Sequence, residues 1–159
     1  TKSDPNAVIT GDITNSGQAN IPLDGPGTTK TISMTVTAPN GDTKIYAIAV
    51  ERLAPSTDSN LSALTTSAGT LIPTFSPSQL TYGTSVSAND ETVTVSAVKS
   101  DPNAVLSSAG SIIAATGVQT GGVTVSLGRN TTTAVSILVT AQDGISRKTY
   151  TINFFRPDR

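Results

Sequence analysis

The chain has no cysteine, no histidine and no tryptophan. Without cysteine there is no disulfide framework and no thiol nucleophile; the composition fits a secreted bacterial protein, although a cytosolic one can share it. Without histidine the usual general base at neutral pH and the commonest transition-metal ligand are both missing. Without tryptophan the best sugar-stacking ring is gone, leaving three tyrosines and three phenylalanines. Charge is scarce as well: 13% of the residues are Asp, Glu, Lys or Arg, and the net charge is −1. That excludes a basic nucleic-acid footprint and a polybasic membrane patch. No apolar run approaches the ~18 residues of a membrane-spanning helix.

Ser and Thr, by contrast, make up roughly 30% of the chain, far above ordinary usage. With Val and Ile they fill stretches that alternate with period two. TISMTVT (31–37) places Ile32, Met34 and Val36 on one face, and KIYAIAV (44–50) does the same with Tyr46, Ile48 and Val50. Asn40-Gly41 between them predicts an antiparallel hairpin closed by a type I′ turn. TTAVSILVT (132–140) and KTYTINFF (148–155) repeat the design around Asp143-Gly144. The alternation, the frequent turn signals and the lack of helical period predict an all-β sandwich.

The heptapeptide KSDPNAV occurs at 2–8 and again at 99–105. Lys2 aligns with Lys99 at an offset of 97, and Gly41 with Gly144 at 103, so a loop of about six residues is gained between them. The Gly-rich stretch GVQTGG (117–122) is its expected place. With one more residue inserted near Arg147, Tyr46 and Arg52 fall on Tyr150 and Arg156. A period near a hundred residues exceeds solenoid repeats and matches tandem sandwich modules.

The second copy has a front that the first lacks. Residues 59–98 carry Leu61 and Leu64, then Leu71, Phe75 and Tyr82, then TVTVSAV with Val93, Val95 and Ala97 on one face. Pro73 and Pro77 hold the early part to edges, bulges or turns. The Leu-x-x-Leu strand, the FSPS segment leading to Tyr82, and the Asp-Gly hairpin ending in KTYTINFFR together resemble the bacterial cadherin-like β-sandwich domain family. The resemblance is complete over 59–157 and covers only the latter half of the pattern over 1–53, with 54–58 as a short, semi-stiff linker. Gln142 stands where the family often has an acidic residue before Asp-Gly. The resemblance implies tandem Ig-like or cadherin-like antiparallel sandwiches; from the residues themselves no catalytic residue, no cofactor and no enzymatic activity are expected.

A half-sandwich leaves apolar faces wet and a sheet edge open. Three arrangements would resolve this. The chain is cut from a longer tandem array, and the front lies upstream of Thr1. Strands from another copy complete the fold. Or 1–53 merges with the second module into one enlarged sandwich.

Carboxylates are the remaining route to chemistry. Asp42 and Asp143 fall in or beside hairpin turns, and Asp58, Asp90, Glu91 and Asp158 in linker, turn or terminal contexts, where such side chains cap nearby backbone. The SDPN motif raises calcium instead: true cadherins hold it at module junctions, and Asp4, Asn6, Asp101 and Asn103 offer hard oxygen ligands. Asp-Pro-Asn is also a good β-turn with Pro in its first corner, and the acidic density of a cadherin junction is absent, so these four are weak metal candidates. Tyr46, Tyr82 and Tyr150 are expected in the core, with Phe155 turned away from Phe154 toward an interface. No aromatic platform for sugar is left. The sequons at Asn60 and Asn130 fit surface loops.

The expected role is a structural or adhesive module of a bacterial extracellular or cell-surface protein, such as a stalk or self-assembling fibre subunit. Its expected partners are neighbouring modules or further copies. The alternative is a carbohydrate-binding accessory of a secreted polysaccharide-active enzyme.

Overall fold

The computed structural model describes residues 1–158, and the chain divides into two compact units, Thr1–Pro55 and the remainder from Ser56 onward. All the regular structure described is strand, as the period-two alternation requires.

The first unit is a single three-stranded antiparallel sheet of β1 (Val8–Gly11), β2 (Thr28–Thr37) and β3 (Thr43–Arg52), in that order. The β2–β3 hairpin is closed differently from the expected type I′ turn. Gly41 N–H donates to Ala38 O at 2.9 Å, which places Pro39 and Asn40 in the turn corners, and Gly41 follows with φ +92°. This is a three-residue loop ending in a left-handed glycine. The reason is Pro39: a two-residue Asn-Gly loop would need it to donate an N–H to close the hairpin, and proline has none.

The second unit is a two-layer sandwich. One sheet runs β5 (Thr81–Ser85), β11 (Arg147–Arg156), β10 (Thr131–Thr140), β7 (Val105–Ser108), β8 (Ser111–Ala114); the other runs β4 (Leu61–Thr66), β6 (Thr92–Lys99), β9 (Thr120–Ser126). Their inner faces share one core. Leu61 and Leu64 of β4 with Val93, Val95 and Ala97 of β6 meet Leu106, Ile137, Val139, Tyr150, Ile152 and Phe154 of the larger sheet. All of these are at most 3% exposed, and each large aliphatic or aromatic side chain so buried is worth about 1.5–3 kcal/mol. The expected connector is tied to this unit at Ser56, whose N–H donates to Gln142 Oε1 and whose carbonyl accepts from Asp143 N–H.

The two units share a register. β1 meets β2 with Val8 opposite Thr37 and Ile9 opposite Val36; β7 meets β10 with Val105 opposite Thr140 and Leu106 opposite Val139. Likewise Met34 lies opposite Tyr46, and Ile137 opposite Tyr150. The first sheet is thus a structural copy of β7, β10 and β11. What separates the copies is larger than a loop insertion at GVQTGG. The second unit threads β8 and β9 between β7 and β10, while residues 12–27 of the first hold no strand. Two glycines of that stretch, Gly121 and Gly122, lie inside β9: a Cβ on Gly121 would come within 2.8 Å of Ile113 O, a close strand approach that favours glycine.

Candidate functional site

The two SDPN loops fold alike. Asp4 Oδ1 accepts the Asn6 N–H at 2.8 Å, and Asp101 Oδ1 accepts the Asn103 N–H at 2.8 Å. The Ala7 and Ala104 N–H groups donate to Asp4 O and Asp101 O, both at 3.1 Å. These are Asx-type turns in which the carboxylate serves the backbone. The cation in each loop is the lysine that opens the motif. Lys2 Nζ donates to Pro5 O (2.8 Å) and Ala7 O (2.7 Å); Lys99 Nζ donates to Pro102 O (3.1 Å), Ala104 O (2.6 Å) and Ala115 O (2.9 Å). Burial pushes the Lys99 ammonium below its ordinary 10.5, with Asp101 acting in the opposite direction. Asp101 Oδ2 is buried with no hydrogen-bond partner. Of the four calcium candidates, Asp4 and Asn6 therefore share one loop of the first unit, and Asp101 and Asn103 one loop of the second. Among the described residues no group of three or more carboxylates converges as a metal site.

The other acids also fasten turns. Asp42 Oδ2 accepts from Asn40 Nδ2, Asp90 Oδ2 from the Ser87 N–H, and Asp143 from Ile145 and Ser146. Hydrogen bonds hold two of them below the ordinary 3.8: the Ser146 hydroxyl chiefly for Asp143, the Ser100 hydroxyl chiefly for Asp58.

The aromatic residues divide. Tyr82, Tyr150 and Phe154 are buried, as expected, and Phe155 turns outward at 41% exposure. Tyr150 donates its hydroxyl to Pro77 O at 2.6 Å and accepts the Leu61 N–H at 3.2 Å; burial raises it above its ordinary 10.0. Tyr46, at the matching hairpin position, is not core: it is 52% exposed. The reason is tertiary. The groups that satisfy and cover Tyr150 come from residues 59–98, and the first sheet has no such layer.

Tyr46 is one of a set. Ile48 is 51% exposed, whereas its counterpart Ile152 is 0% exposed. Ile32, Met34, Val36 and Val50 are only half-buried, where Val135, Ile137, Val139 and Phe154 are fully buried. At the end of this face nearest the SDPN loop lies an open trough of about 600 Å³, with Ala7, Ile9, Met34, Tyr46 and Ile48 on its walls. A contiguous apolar face with an aromatic ring in it marks an interaction surface.

The face adjoins an open edge. In the second unit β5 lies parallel to β11, with Tyr82 opposite Ile152, and Thr151 N–H donates to Leu80 O at 2.8 Å. Among the described residues nothing pairs with the corresponding edge of β3. By the shared register, the Ala47 N–H is aimed at that edge. An unpaired strand edge beside an apolar face is a template for another strand. The edge and the face together are the candidate site. Sequence reasoning placed Tyr46 in a core, and it passed over Lys2 and Lys99, whose recurrence at the head of both motifs was the available signal.

No curated protein is matched by the sequence. Residues 61–157, more than half of the chain, match the family described as the cadherin-like beta sandwich domain. Modules of this family are typically extracellular and structural, with no catalytic role of their own. Among the described residues no helix is long and apolar enough to cross a membrane. The shared core, the Asp-Gly hairpin and the family match lead to one conclusion: the chain belongs to the cadherin-like β-sandwich domain family.

Proposed function

We propose that the chain is a structural module of a bacterial extracellular or cell-surface protein, an element of a stalk or fibre. In this reading 1–53 is the closing half of one module, 59–157 is a complete one, and 54–58 joins them. The observation that carries it is the pair of sheets with one register, one sealed into a core and the other displaying the same apolar face. Such a repeat supplies reach, and its open sheet supplies a joint to a neighbouring module. Immunogold labelling of intact native cells, with surface proteolysis in parallel, tests the reading. Label recurring along surface projections, removed by protease without lysis, is the expected result. An epitope reached only after lysis overturns it.

The polysaccharide-binding reading keeps one specific observation in its favour, the exposed Tyr46 ring above the trough. Its neighbours Met34, Ile48 and Val36 are apolar, however, and the polar side chains on the trough include Lys2 and Asp4, which already serve backbone groups of their own loop. Glycan-array binding lost in Tyr46→Ala would promote this reading above the structural one.

A further inference from the structure

We infer that the open face and edge of the first sheet form a receptor for the front half of another cadherin-like module, a stretch patterned like residues 59–98. This deepens the structural reading and rests on it.

The second unit shows how such a stretch seats. Its β5 runs parallel to β11 with Tyr82 opposite Ile152. Carried over by the register that places Tyr46 on Tyr150, the incoming strand lies parallel to β3 and sets a large ring opposite Ile48. The Ala47 N–H then finds the carbonyl that Leu80 offers Thr151. The Tyr46 hydroxyl finds the pair that Leu61 N–H and Pro77 O offer Tyr150. Leu61 and Pro77 both belong to the front stretch, so the occupant is specified by chemistry as well as by shape.

Exchange of front halves between copies does not fill the face. The 159 residues hold two closing halves and a single front half. That front is already sealed, with Leu61, Leu64, Tyr82, Val93 and Val95 at most 3% exposed. Every front donated by exchange would open one closing half for each one it filled, so exchange alone never saturates the face.

The test uses the whole 159-residue chain with a separate peptide of residues 56–98 as probe, read by native mass spectrometry and amide hydrogen exchange. Expected is a 1:1 complex in which the Ala47, Ala49 and Glu51 amides slow at least ~10-fold while second-unit amides keep their rates. Ile48→Lys abolishes the complex and leaves the second unit's melting unchanged. A second arm fuses residues 56–98 ahead of Thr1 through a flexible linker, raising the effective concentration to the millimolar range. Those three amides are then expected to slow by ~100-fold or more. Unchanged exchange in the fused chain overturns the inference. So does protection of the Tyr46 face in the chain alone through a symmetric dimer, which would make a second copy the occupant. Either failure leaves surface labelling untouched, so it sinks the receptor and not the structural role; an intracellular epitope sinks the role itself.

Discussion

At the scale of single residues, the recurring lysine is the clearest case of one side chain in two environments. Lys99 is fully buried, and its ammonium is the partner of three backbone carbonyls. Lys99→Met should destabilise the second unit by about 3 kcal/mol, because buried carbonyls left unpaired keep their desolvation cost. Lys2 is half-exposed and water reaches its loop, so Lys2→Met should cost below about 1 kcal/mol. Urea unfolding of both variants checks the pair. The tyrosines make the same comparison. Tyr150→Phe strands the Leu61 N–H and Pro77 O and should cost about 1–2 kcal/mol, whereas Tyr46→Phe should stay within about 0.5 kcal/mol. Equal effects at the two tyrosines, measured in the same denaturant series, would refute the claim that only one has a covering layer.

At the scale of elements, hairpins and turns were the most legible feature of the sequence. Alternation located β2, β3, β6, β10 and β11 because a half-buried strand must alternate, and the turn residues between them marked their ends. The turn type was less legible, since Pro39 outweighed the Asn-Gly signal by lacking an N–H. The β8–β9 segment was read as a loop because glycines inside a strand look like punctuation until a close neighbour explains them. Turn acids also set the pH response. Asp58 and Asp143 are held below 3.8, so the folded second unit binds fewer protons than the unfolded chain just below that value. Their contribution is full above 3.8 and is lost as pH falls through the depressed values. The melting temperature of the second unit should therefore fall as pH drops below 3.8, and Asp143→Asn should flatten that fall; thermal melts across the range decide it.

At the scale of the whole molecule, two units with the same strand pattern have unequal cores. The second buries a shared cluster between two layers; the first has one layer, with Tyr46 and Ile48 half in water. A three-stranded sheet with an uncovered face sits near the limit of independent stability. Denaturation should thus be non-two-state, with the first unit's amides exchanging near-globally at denaturant concentrations that leave the second unit protected. Hydrogen exchange in a urea series measures this, and one coincident transition would contradict it. Ile48→Lys, which removes apolar surface from a wet face, should raise solubility without lowering the second unit's stability.

The sequence alone determined that this is an all-β chain and that a unit recurs in it, because alternation, turn chemistry and repetition are local properties of the chain. Burial was decided only by tertiary structure. Tyr46 and Tyr150 hold matching positions in their hairpins, each opposite an aliphatic side chain (Met34 and Ile137), and the alternation predicts burial for both. What separates them is whether a second sheet lies over the ring to exclude water, and for Tyr150 that is settled by residues far away in the chain.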